Sequence, residues 1–164
     1  MSGRSSRFLA GLAAALLLPA ALASPHAAGD EASSLAARLQ GASQVVIAKT
    51  RAASPRWETN SNGDRLIVTE FVLDIEETLK GRNGSEVIIE VPGGTLDGLT
   101  LRVSGQPVLK PGDRAVFLLE STPTGVYKPH RRGEGVLRLN DQNTIAGSAL
   151  TVNDVRQIAR TGRK

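Results

Sequence analysis

The chain has 164 residues, enough for one domain with a real core. It contains no cysteine, which excludes disulfides, thiolate metal sites and thiol catalysis. Its formal net charge of +4 comes from 20 basic against 16 acidic residues, and it falls to +2 once Arg4 and Arg7 are set aside, too small an excess to argue for an anionic polymer as partner.

Those two arginines precede an apolar run from Phe8 to Leu18, and Ala21-Leu22-Ala23 then offers a small-x-small cleavage site. This is the layout of a secretory signal peptide over residues 1–23. The run is shorter than the roughly 20 residues a membrane span needs. We therefore expect an exported protein, periplasmic or extracellular, with no membrane span after the leader is removed. Residues 24–32 read as a flexible start to the mature chain, and residues 33–164 as one folded domain.

In that domain, Ser33 or Ser34 can cap a short helix through Gln40, with Leu35 and Leu39 on one face and Gly41 at its end. The period then changes from helical to two. "QVVIAKT" is a strand with Val45 and Ile47 on one side. Asn62-Gly63 marks a tight turn. "DRLIVTEFVLDIEETLKG" is the longest strand, its apolar face running Ile67, Thr69, Phe71, Leu73, Ile75 and on to Leu79. A strand of this length tends to bend, as strands that close small barrels do. "EVIIEV" places Val87, Ile89 and Val91 on one side, and "LTLRVS" alternates Leu99, Leu101 and Val103 with polar residues. Gly93, Gly94 and Gly98 read as one loop between these two strands. A Pro-Gly-Asp turn leads into a buried strand over Ala115–Leu119, followed by short strands in "GVYKPH" and "GVLRLN". The chain closes on a helix at about 152–160. Thr151 and Asp154 have capping-box spacing, Leu150 and Val155 form a hydrophobic staple, and Val152, Val155, Ile158 and Ala159 make the apolar face. Short strands separated by turn signals argue for a mainly β fold, a small closed or partly open antiparallel barrel with a helix at each end.

No constellation of catalytic residues stands out. The two histidines are separated, His26 near the mature terminus and His130 in a loop, which argues against a histidine metal site. Neither a G-x-S-x-G elbow nor a Walker sequence occurs. "NSNGD" fails as a calcium loop, because Arg65 and Phe71 fall where a glycine and a glutamate are required. Glu70, Asp74 and Glu76 project from one strand face. They read as a solvated face paired with arginines, the alternative being an acid pair at an unrecognised enzyme site. We expect no catalytic residue, metal or cofactor. The positions that remain as binding candidates are Trp57, the paired Gly93 and Gly94 beside Asp97, and the basic run His130, Arg131 and Arg132. Nucleic acid is disfavoured, since its grooves pair basic residues with aromatic platforms and the chain beyond the leader has only Trp57, Phe71, Phe117 and Tyr127.

The succession "ASQVVIAKT", "SPRW", "IVTEFVLDIEETLKG", "VPGGTLDGLTLRVSGQPVLKPGDRAVFLLE" and "RRGEGVLRL" resembles a family of exported bacterial proteins of uncharacterised function, over about residues 42–139. Some of its members lead secreted zinc metalloproteases. The first half also resembles the barrel of the netrin-like and tissue metalloproteinase-inhibitor fold, a relative of the OB barrel. The resemblance implies an OB-like barrel. The leader, the all-β pattern and the lack of a catalytic constellation lead us to expect a non-enzymatic module binding a protein or cell-envelope partner; the alternative, an inhibitor or helper of a secreted protease, is what the resemblance alone implies. The resemblance implies neither proteolysis, since this chain has no zinc-binding helix, nor inhibition through an N-terminal cysteine, since it has no cysteine.

Overall fold

The computed structural model describes residues 25–82 and 84–162; the leader expected over residues 1–23 lies outside them. The fold is mainly β. Five strands carry it: β1 (Gln44–Thr59), β2 (Arg65–Lys80), β3 (Glu86–Pro92), β6 (Arg114–Ser121) and β7 (Tyr127–Pro129). β1 pairs with β2, β2 with β3, β3 with β7, β7 with β6, and β6 returns to β1, so the pairings run round a ring. All are antiparallel except β3–β7, a parallel contact at Ile89 and Tyr127. A short β8 (Val136–Arg138) adds to the other end of β6, after a 3-10 turn over Arg132–Gly135. Between β3 and β6 the chain forms a separate two-stranded hairpin, β4 (Gly94–Leu96) and β5 (Leu99–Leu101).

Two helices flank the ring on one side: α1 (Pro25–Gly41) and α2 (Val152–Thr161). α1 begins well before the expected cap at Ser33 or Ser34 and takes in residues expected to be a flexible lead-in. Alanines at 27, 28, 32, 36 and 37 have the highest helix propensity, and Pro25 suits a first helical position. Gly41 ends the helix as expected. Its last carbonyls have a partner the sequence did not suggest: the Lys80 ammonium donates to the oxygens of Leu39, Gln40 and Ala42 at 3.1, 2.8 and 2.6 Å. A cation there satisfies orphan carbonyls and opposes the negative end of the helix dipole. At α2 the expected capping box is present. Thr151 N–H donates to Asp154 Oδ2 at 2.7 Å, and Asp154 N–H donates back to Thr151 Oγ1 at 3.4 Å.

β1 over Gln44–Ala48 and β6 over Ala115–Leu119 are buried on both faces. Val46, Ala48, Phe71, Leu73, Ile89, Val91, Phe117 and Leu119 fill the ring interior. Val45, Ile47, Val116 and Leu118 face outward into a second core with Leu35 and Leu39 of α1 and Val152 and Val155 of α2. The expectation of one apolar face along β2 therefore holds only in part. Phe71 and Leu73 point into the ring, but Leu79 belongs to the outer core. The β1–β2 register breaks once between them, passing over Glu76, and again at Leu79 itself, and a third break passes over Arg51 of β1. Each break is an extra residue that turns the following side chains and bends the strand. The Asn62-Gly63 turn forms as expected, as an Asn60–Asp64 loop in which Asn60 Oδ1 accepts from the N–H of Asn62 and of Asp64, each at 2.9 Å.

Two outcomes follow from this packing. Phe117→Ala and Leu118→Ala, adjacent on β6 and each 0 % exposed, should each cost about 2–5 kcal/mol in urea unfolding; a sheet covered on one side only would leave one of the pair near neutral. Hydrogen bonds from Thr151 hold the Asp154 carboxyl below the usual carboxylate range, so its stabilisation is present above the ordinary value and lost as pH falls through the lowered one. Wild type should then exceed Asp154→Ala by about 1 kcal/mol at neutral pH, with the difference closing below about pH 4 in thermal unfolding.

Candidate functional site

The β4–β5 hairpin lies over one end of the ring. Its turn is Asp97-Gly98, with φ of 52° and 76°, positive at both central positions as a two-residue type I′ hairpin requires. Leu96 and Leu99 pair across it. Gly93 and Gly94, with φ of 112° and 136°, carry the chain from β3 into the hairpin. A β-carbon on Gly94 would stand 2.2 Å from Thr69 Oγ1 and 3.3 Å from Ile67 Cγ2. The Thr69 hydroxyl in turn donates to the Gly93 carbonyl at 2.6 Å. The close backbone approach that paired glycines permit is thus spent within the chain, in seating the hairpin on β2.

The tip of the hairpin is held at a second point. Trp57 Nε1 donates to Asp97 Oδ2 at 3.0 Å, and the Arg65 guanidinium lies 4.6 Å from the centre of the Trp57 ring, within cation–π range. Half-buried Trp57 is therefore a clamp between the β1–β2 hairpin and the β4–β5 hairpin.

Beneath and beside the hairpin is a cleft of about 400 Å³, a volume typical of ligand sites. Thr69, Phe71 and Val91 reach it from β2 and β3, Thr100 to Val103 form one wall, and Gln106 to Leu109 form the other. The second wall has no regular structure and is anchored by Leu109, whose side chain is part of the ring interior. On the rim, Val108 is 79 % exposed.

The structure thus brings together four of the expected site residues, Trp57, Gly93, Gly94 and Asp97, on the hairpin and its supports. The basic run lies apart from them. The His130 ring sits against the end of α1, close enough that a β-carbon on Gly41 would be 2.8 Å from its Nε2; its Nδ1 is 3.0 Å from Glu120 Oε2. Lys128 and His130 hold the Glu120 carboxyl below its ordinary value. Arg131 and Arg132 have φ of 53° and 60°, and Arg132 Nη1 donates to the Ser104 carbonyl at 3.4 Å. The acidic strand face is engaged with arginines: Asp74 with Arg51 at 2.9 Å and Glu76 with Arg114 at 2.8 Å. No group of three or more His, Asp or Glu side chains among the described residues is placed to hold a metal ion. Glycine spacing led the sequence reading to a loop at 93–98, where the structure has a strand and a turn. The signal that marks it is Asp97-Gly98 between Thr-Leu and Leu-Thr, a short-range hairpin pattern. The wall at Gln106–Leu109 and the exposed Val108 were not foreseen, because no periodic pattern marks an irregular segment.

No protein-family model matches the chain, and no curated protein matches it.

The seating of the hairpin is testable by a double substitution. Gly94→Ala adds a β-carbon at positive φ against Thr69 Oγ1 and should cost about 2–4 kcal/mol. In a Thr69→Ala background that cost should shrink by about 1 kcal/mol, the steric part, while the backbone part stays. Urea unfolding of the four proteins of the cycle measures both, and full additivity would place Gly94 away from Thr69.

Proposed function

We propose that the chain is an exported, non-enzymatic binding module, an OB-like barrel whose cleft at the hairpin end receives a protein partner of the cell envelope or the surrounding fluid. The observation that carries this reading is the cleft itself. It combines an apolar floor from Phe71 and Val91, a volume of about 400 Å³ and an exposed apolar residue, Val108, at its edge. Exposed apolar side chains next to an apolar cleft are what a surface awaiting a partner has.

Three further points support it. The ring order, with one parallel contact between its third and fifth members in sequence order, suits a five-stranded Greek-key barrel of the OB type. The leader and cleavage pattern over residues 1–23 supports export to the periplasm or beyond. The carboxylates that could have formed an acid pair, Asp74 and Glu76, each bond to an arginine instead, and no acidic side chain lines the cleft. The protease-associated alternative has no residue of its own in the structure to favour it.

The absence of cysteine gives a direct test. Val108→Cys places a unique thiol on the cleft edge, and Asp141→Cys places one at an exposed turn elsewhere. Each mature variant, labelled with a thiol-directed photo-crosslinker and irradiated with envelope or culture-fluid proteins, reports what lies beside that position. A discrete adduct from position 108 that is missing from position 141 is expected. Equal adducts from both, or none from 108, would overturn the reading.

A further inference from the structure

Resting on the binding-module reading, and naming the ligand of the same cleft, we propose that it captures the C-terminal end of an extended apolar protein segment, with the terminal carboxylate paired to Arg102.

The charge pattern points to an anion. Arg102 is the only charged residue among those lining the cleft. Among the described residues its exposed guanidinium has no ion pair or hydrogen bond, whereas Arg51, Arg56, Arg114, Arg138 and Arg156 each pair with a carboxylate. A partner carboxylate at Arg102 therefore forms a charge-assisted contact without first breaking one.

The shape points to a chain end. The two walls are consecutive in sequence, joined by the turn at Ser104-Gly105, where Gln106 N–H donates to the Val103 carbonyl at 3.3 Å. The two walls therefore converge at that turn, between Val103 and Gln106, and Arg102 lies one residue before it. A carboxylate delivered where the walls converge suits a terminus more readily than the middle of a segment, which would have to continue past the turn.

The edges point to a protein segment. β5 is the last strand of a two-stranded sheet, paired with β4 on one side only. Its free edge is a template for an added strand, with main-chain hydrogen bonds supplying affinity and alternate side chains entering the cleft. The 79 % exposure of Val108 also extends the apolar area beyond what a small carboxylate within the cleft would cover.

The test uses the mature protein to select from a displayed library of random octapeptides with free C-termini. The enriched sequence is then synthesised as the free acid and as the C-terminal amide. Binding is followed by the fluorescence of Trp57, the chain's single tryptophan, and by the amide resonances of Gly93 and Gly94. We expect enrichment of apolar residues at the last positions and an acid that binds at least about tenfold more tightly than the amide. Arg102→Gln should remove that difference with the thermal midpoint unchanged, and Val108→Asp should weaken both forms. Equal binding of acid and amide, undiminished in Arg102→Gln, would overturn capture of a carboxylate while leaving the cleft as a binding site. Decanoate shifting the same resonances with no peptide enriched would overturn the protein segment in favour of a small apolar carboxylate. No enrichment over Arg102→Gln and no shift with decanoate would overturn the ligand assignment altogether; the crosslink from position 108 then decides separately whether the module reading survives.

Discussion

The fold depends on a short stretch of β1 that is enclosed on four sides. From Val45 to Ala48 the backbone pairs with β2 on one edge and β6 on the other. Side chains alternate between the ring interior and the layer under the helices, all four at 0 to 1 % exposure. A strand in that position has no face or edge to give to water. Its partners must therefore wrap until they meet, through β3 and β7 to β6. Its outer side must also be covered, and α1 and α2 cover it with Leu35, Leu39, Val152 and Val155. Lys80 ties the two layers together, since it ends β2 and donates to the last carbonyls of α1.

The same strand creates the cleft by leaving that environment. β1 pairs with β6 only as far as Lys49 opposite Arg114. Beyond it, Thr50 exchanges backbone hydrogen bonds with the Gly112-Asp113 turn, its N–H donating to Asp113 and its carbonyl accepting from Gly112, each at 2.8 Å. The Arg51 bulge follows directly. From there β1 pairs with β2 alone, β2 keeps β3 on its other edge as far as Val68, and the last part, Trp57–Thr59 with Arg65–Ile67, is a two-stranded arm extending past β6. The arm has apolar residues, among them Ile67, that need cover. The β4–β5 hairpin supplies it, resting on Ile67 and Thr69 and clamped through Trp57 and Asp97. A two-stranded hairpin has little stability alone, so its position is set by these few contacts, and the space left beside it is the cleft. Fold and candidate site thus share one cause, the unequal lengths of β1 and β6.

Much of the fold was legible because its signals are local. Alternation located β2, β3 and β6, Asn62-Gly63 located the first hairpin, and Thr151 with Asp154 located α2. What was not legible depends on pairing between distant segments. Leu79 alternates in phase with Phe71 and Leu73 in the sequence, and only the bulge at Glu76 sends it to the other core. Val45 and Ile47 read as one face of a one-sided strand, because nothing in seven residues says that two helices at opposite ends of the chain will cover them. The site was legible in outline: Trp57, Gly93, Gly94 and Asp97 do meet. Their roles were not. Gly93 and Gly94 suggested room for a ligand, and the atom that occupies that room is Thr69 Oγ1, from a strand some twenty-five residues earlier.

Charge behaves differently from shape in this respect. The acidic residues of β2 read as a solvated face paired with arginines, but β2 alone does not say which arginines. In three dimensions the bulge residue Arg51 spans Asp74 of β2 and Glu86 of β3, and Arg114 of β6 reaches Glu76 of β2 across β1. Each pair is solvent-exposed and contributes about 0–1 kcal/mol. Their larger effect is on recognition, because a guanidinium already engaged must give up a partner before it can bind another. Among the described residues five of the twelve arginines pair with a carboxylate, and at each of those an incoming anion meets a competitor. The small formal excess of positive charge therefore says little about partners. The position of an unengaged arginine says more, and at the cleft that arginine is held by backbone whose course is fixed by the hairpin, its glycines and Thr69.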